Sequence, residues 1–152
     1  MNKHPFEDIT DFHVKYGFEQ PDAPAFIEAA NLKTRLNFLL EELNETAKAA
    51  GYTLQPVEKD GEVYLEYARD EEEIPDSELS LVEFLDGLVD LNYVSYGTAW
   101  LCRLNLPEAW NRVHAANMTK IRCERAEDSK RGTTFDVIKP KDFVRPDLSD
   151  LV

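Results

Sequence analysis

The chain has 152 residues, 43 % of them apolar and 11 % aromatic, with a formal net charge of −13. This is one domain, long enough to bury a core and too apolar to be disordered. Its acidity repels nucleic acid polymers and anionic membranes. No run is apolar enough to span a bilayer, and the first residues carry no apolar stretch of the signal-peptide kind, so the expectation is a soluble, cytoplasmic protein. Cys102 and Cys123 stand outside any zinc-type spacing and read as free thiols.

In chain order, Phe6, Ile9, Phe12 or His13, and Tyr16 recur at helical spacing and predict a short helix from Pro5 to Gly17. A proline-bearing loop follows. A long helix is predicted from about Ala25 to Ala50, with Leu32, Leu36, Leu39, Leu40, Leu43, Ala47 and Ala50 as one apolar stripe and Gly51 as its stop. From Tyr52 to Arg69 the period shifts toward two around Asp60-Gly61, which predicts a β-hairpin with strands near Tyr52–Glu58 and Val63–Ala68. The run Asp70-Glu71-Glu72-Glu73, with Pro75, reads as a solvated loop. The next helix starts at Ser77 or Ser80, where Ser80 and Glu83 fit a capping box, and continues to Leu104. It is apolar almost all round, which predicts a central, buried helix. Pro107 opens a further helix that fades after Ile121. Arg122 to Thr134 reads as loop, and the remainder as an extended tail. These elements predict an all-α fold in a single domain over 1–152. It is a bundle of about four helices with a hairpin inserted at about 52–69.

The chemistry lies in the acids. The long helix carries Glu41, Glu42 and Glu45, and the apolar helix carries Glu83, Asp86 and Asp90 at i, i+3 and i+7, on one line that Tyr93 and Gly97 extend. Carboxylates on an otherwise apolar helix must meet cations, hydrogen-bond donors or water, because burying them alone costs several kcal/mol or neutralises them. Oxygen ligands from facing helices suit Mg²⁺, with Mn²⁺ as the alternative. A di-iron bundle needs Glu-x-x-His pairs, and no glutamate here has a histidine three residues on.

The pattern Glu41-Glu42-x-x-Glu45 followed by Glu83-x-x-Asp86 resembles the metal-binding signature of the all-α NTP pyrophosphohydrolases, which include MazG-like enzymes, dimeric dUTPases and phosphoribosyl-ATP pyrophosphohydrolase. The stretches from Asp86 to Ala99, Val113 to Lys120 and Phe135 to Leu148 are similar to later parts of MazG-like members. The resemblance implies magnesium-dependent cleavage between the α and β phosphates of a nucleoside triphosphate, leaving nucleoside monophosphate and pyrophosphate. It implies Glu42, Glu45, Glu83 and Asp86 as metal ligands and Asp90 as a further ligand or a group behind them. Glu41 is then another ligand or the base that takes a proton from the attacking water. The gap between Glu45 and Glu83 is longer than the family's usual gap, and the hairpin fills it.

A triphosphate also needs positive partners. Lys120, at the end of Asn117-Met118-Thr119, leads the candidates, followed by Lys139 and then Arg122, Lys141 and Arg145; Lys33 and Arg35 lie about two turns before the glutamates. Asn117 is placed to bind phosphate or sugar, and Asn92 and Tyr93 to meet base or ribose. His114, Trp100 and Trp110 read as packing residues. Two long apolar helices leave surface that one subunit does not cover, so a homodimer or homotetramer is expected. The alternative is a non-catalytic helical interaction module built on the same bundle. Such a scaffold gains by replacing its buried carboxylates with leucine.

Overall fold

The computed structural model describes residues 4–59, 61–69 and 79–152. Among the described residues there are four helices: α1 (Pro5–Lys15), α2 (Ala29–Ala49), α3 (Leu81–Leu101) and α4 (Leu106–Asn117). Strands β1 (Tyr52–Lys59) and β2 (Glu62–Arg69) pair antiparallel between α2 and α3, with Leu54 opposite Tyr67 and Pro56 opposite Leu65. The hairpin stands where the period shift put it. Asp60 of its turn lies outside the described residues, as do the acidic run after Asp70, Pro75 and the rival cap Ser77.

Local chemistry sets the helix starts. His4 Nδ1 accepts from the Phe6 amide at 3.1 Å and Pro5 occupies the first turn of α1, where its missing N–H costs nothing. Ser80 Oγ caps α3 through the Glu83 amide at 3.1 Å, and Asn105 Oδ1 caps α4 through the Glu108 amide at 3.3 Å. Helix α2 begins four residues later than expected. Ala25 donates its amide to the Cys102 carbonyl at 3.1 Å, so the chain after Pro24 is tied to the end of α3 before it can coil.

Helices α2 and α3 run antiparallel. The Ser80 amide meets the Ala49 carbonyl at 3.0 Å, Thr46 lies against Gly87, and Arg35 reaches Val94 and Thr98 near the other end. The crossing is close because two glycines make room. A Cβ on Gly87 would fall 2.3 Å from Thr46 Oγ1, and one on Gly97 would fall 2.8 Å from Arg35 Nη2 and 2.9 Å from His13 Cε1. Helix α1 packs across that second end, where Ile9, His13, Trp100 and Cys102 are buried.

Two expectations are corrected. The apolar residues of α2 do not act as one stripe: the line turned to α3 is Leu32, Arg35, Leu39, Glu42, Thr46 and Ala49, while Leu36, Leu40 and Leu43 stay 56 %, 49 % and 41 % exposed. Nor is α3 buried all round, since Leu81, Val82 and Leu85 on its first half are 86 %, 75 % and 64 % exposed. One chain has too few elements to cover both sides of this pair. Helix α4, expected to run to about Ile121, ends at Asn117, and the loop and tail expected after it are tied by a small sheet, β3 (Ile121–Arg122) with β4 (Val137–Ile138), steadied by Ser129 Oγ donating to Asp136 at 2.7 Å. Beyond it, Arg112 of α4 holds the tail by donating to Asp150 Oδ2 and the Asp147 carbonyl, both at 2.9 Å.

Replacing Gly87 by Ala is expected to lower unfolding stability by about 1–3 kcal/mol, the usual cost of overpacking, read from the urea midpoint. Adding Thr46→Ala removes the hydroxyl half of the clash and is expected to restore part of the loss.

Candidate active site

The α2–α3 seam brings the acids together. Glu42 lies half-buried on the line of α2 that meets α3, and Asp90 lies half-buried opposite it; Glu41, Glu45 and Asp86 sit exposed at the flanks. Burial raises the Glu42 carboxyl above its ordinary value, and the charges of Asp90, Glu45, Glu41 and Asp86 raise it further. The register that sets Thr46 against Gly87 brings Glu42 toward Asp90, and Glu41, Glu45 and Asp86 stand within about one turn of them on their own helices. Glu83 is not among the carboxylates acting on Glu42. The antiparallel register that sets Thr46 against Gly87 carries Glu83, in the first turn of α3, toward the far end of α2.

A carboxyl such as Glu42, raised by burial and by neighbouring carboxylates, marks a place short of positive charge. No lysine or arginine is among the groups acting on Glu42. The donors are all oxygens, which fits a hard divalent cation. Among the described residues no three such side chains already stand close enough to grip an ion, so binding one requires the flexible glutamates to turn inward.

The predicted substrate residues divide by position. Tyr93, 37 % exposed, projects one turn along α3 from Asp90, and its ring meets Phe12 edge-on at 5.4 Å. Asn92 is exposed but uses its amide on its own helix, donating to the Leu88 carbonyl at 2.7 Å. Asn117 is exposed at the end of α4, Lys120 is half-buried just beyond it, and Lys139 is exposed with its ammonium 5.1 Å from the Phe143 ring. These three lie on α4 and the segment after it, which touch the helix pair only lightly.

At the other end of the seam, sequence reasoning named Tyr93 as a substrate residue and Arg35 only as a remote candidate cation, and gave Phe12, His13, Phe18 and Phe38 no part in a site. A cavity of about 580 Å³ opens there, walled by Phe12, His13, Phe18, Arg35, Phe38 and Tyr93. Arg35 spends two donors inside the seam, Nε to Thr98 Oγ1 at 3.1 Å and Nη2 to the Val94 carbonyl at 2.7 Å, and faces Phe38 at 5.8 Å. His13 is 3 % exposed, stacks on Trp100 at 4.6 Å and, in the tautomer its neighbour requires, donates Nδ1–H to the Ile9 carbonyl at 2.8 Å. The signal available for Arg35 was its place in the i, i+3/i+4 line with Leu32 and Leu39, which makes a charged residue part of a packed seam. Tyr93 and Phe38 each stand about one turn from an acid, so this cavity adjoins the carboxylate cluster.

The model of the phosphoribosyl-ATP pyrophosphohydrolase family matches residues 9–117, well over half of the chain. The match takes in both acid-bearing helices, the hairpin between them and the aromatic cavity. No curated protein matches the chain.

His13 supplies a pH test of this end of the seam. Burial lowers its affinity for a proton below the ordinary value of 6.5, and the Arg35 charge lowers it further, against the opposing hydrogen bond to Ile9. Above that value the ring is neutral both folded and unfolded; below it the unfolded chain gains a proton that the folded chain resists. Urea midpoints are therefore expected to fall as the pH drops from 7 to 5, and His13→Gln to flatten that slope.

Proposed function

We propose that this chain, which belongs to the phosphoribosyl-ATP pyrophosphohydrolase family of hydrolases acting on phosphoanhydride bonds, hydrolyses a nucleoside triphosphate between its α and β phosphates at the α2–α3 carboxylate cluster. The observation that carries this reading is the placement of Glu42 and Asp90, half-buried on facing sides of the antiparallel α2–α3 seam, with Glu45 and Asp86 within about one turn of them. Those four residues, with Glu83 on the outer side, are the proposed ligands of Mg²⁺, or of Mn²⁺ in its place. Bound there, the ion supplies Lewis acidity to a phosphoryl oxygen and offsets charge on the phosphate chain.

The chain's own groups do the rest. Glu41, exposed beside the cluster, accepts a proton from water as the water oxygen bonds to the α phosphorus. The bond from that phosphorus to the bridging oxygen breaks, and pyrophosphate leaves with the electron pair, with nucleoside monophosphate as the other product. The cavity walled by Phe12, Phe38 and Tyr93 suits the flat face of a nucleobase, with Arg35 at its edge; Asn92 stands beside it to meet the ribose. Lys120, Asn117 and Lys139 are the proposed partners of the phosphate tail.

The functional unit is proposed to be a homodimer or homotetramer. The chain exposes 12019 Å², whereas a compact monomer of this mass exposes about 7,900 Å². The excess of about 4,000 Å² per chain leaves room for a permanent subunit interface, which buries about 1,000–2,500 Å² on each partner.

Incubation with a panel of ribo- and deoxyribonucleoside triphosphates and phosphoribosyl-ATP, with release of pyrophosphate followed, is expected to give magnesium-dependent turnover that chelation abolishes. Glu42→Gln and Glu45→Gln are each expected to reduce it by more than about a hundredfold while the helical circular dichroism stays intact. Full activity in both variants would refute the site.

A further inference from the structure

Among the described residues, the β1–β2 hairpin is the largest element that the proposed chemistry does not use. Its register sorts its side chains onto two faces. Thr53, Gln55, Lys59, Glu62, Glu66 and Ala68 share one face with Val57 and Tyr64, and the Lys59–Glu66 ion pair lies across it. The other face carries an apolar strip from Leu54 and Tyr67 to Pro56, Leu65 and Val63, with Arg69 at its base and Glu58 opposite Val63 at its outer end. At the base that face is used: Leu54 and Tyr67 are half-buried, and Tyr67 Oη donates to Asn44 Oδ1 of α2 at 2.9 Å. Further out it is bare, with Leu65 66 % and Val63 71 % exposed and Pro56 exposed beside them.

A two-stranded hairpin is marginal in water unless its apolar face packs on something. Here the helix supports only the inner half. The opposite face is half-buried at Gln55, Val57 and Ala68 and carries the charges of Lys59, Glu62 and Glu66 further out. The outer half therefore extends the surface that packs on α2 past what this chain itself supplies.

We propose that the outer hairpin is an arm that docks through Pro56, Val63 and Leu65 on a second copy of the same chain. The occupant is argued from area and from what the same chain leaves uncovered. The chain carries a surplus of exposed surface large enough for a subunit interface, and the helices hold large bare apolar stripes, Leu36, Leu40 and Leu43 on α2 and Leu81, Val82 and Leu85 on α3. A two-fold pair supplies each arm with such a stripe and each stripe with an arm, and closes on itself without leaving a free end. The inference rests on the self-association proposed above and is independent of the hydrolase chemistry.

The test compares the full chain with V63E/L65E on the apolar face and Thr53→Glu on the polar face, by light scattering and sedimentation across a dilution series. The wild type and Thr53→Glu are expected to associate alike, and V63E/L65E to raise the dissociation constant at least about thirtyfold with unchanged helical content. In parallel, hydrogen exchange of the wild type is expected to show the amides of the outer hairpin losing protection as the protein is diluted through its dissociation. That second measurement holds even if the double variant folds poorly. An unchanged constant in V63E/L65E, or equal weakening by Thr53→Glu, overturns the arm and leaves self-association standing. A wild type that is monomeric at all concentrations overturns both, and hairpin protection independent of dilution assigns the face to its own chain instead.

Discussion

The seam between α2 and α3 has to be both close and polar, and most of what is specific to this protein follows from that. Gly87 and Gly97 remove the side chains that would hold the helices apart, so Thr46, Arg35 and His13 fit where a methyl group would not. With the backbones that near, a glutamate and an aspartate on facing helices can no longer be solvated separately. Glu42 and Asp90 are half-buried in the same seam, where burial and then the Asp90 charge raise the cost of charging Glu42. A seam of leucines would be more stable and would have no such tension.

The polar groups of the seam are dealt with differently at its two ends. Near α1 each has an internal partner: Arg35 gives its protons to Thr98 and Val94, and His13 gives one to Ile9. That end is settled without any outside molecule, which suits a preformed wall for a flat ring. At the acid end the neighbours of Glu42 are other carboxylates. Repulsion there is relieved only by protons or by cations brought from outside, and this asymmetry underlies the assignment of the acids to metal and phosphate and of the aromatic cavity to the base.

The same close pairing explains the surface. Having spent one face of each long helix on the other, the described residues leave α1, α4, the segment after it and half a hairpin to cover what remains. The buried apolar residues among those described are few, Ile9, Ala99, Trp100, Cys102 and Cys123, while leucines on both long helices face water. The tail is held by charge rather than by a core, through Arg112, Asp147 and Asp150. A bundle organised this way is half of a packing problem, and the proposed association supplies the other half.

Period, caps and punctuation were enough to read the helices and the hairpin from the sequence, because those depend on neighbours three or four residues away: Pro5, Ser80 and Pro107 start helices, and Gly51 and the shift to alternation mark the strands. The acids on one side of each long helix were legible for the same reason, and they pointed to the family that the match over residues 9–117 shows. The later start of α2, the β3–β4 pair and the division of the leucines into covered and bare sets were not legible, since each depends on a distant partner: the Cys102 carbonyl, Asp136, or an absent neighbour. Helical spacing told which residues of α2 share a side, but only the crossing with α3 decided that this side holds Arg35, Glu42 and Thr46 rather than the longest run of leucines. The reason is steric. A pair of helices can approach closely only where glycine and small polar residues meet, and no single helix records where that will be.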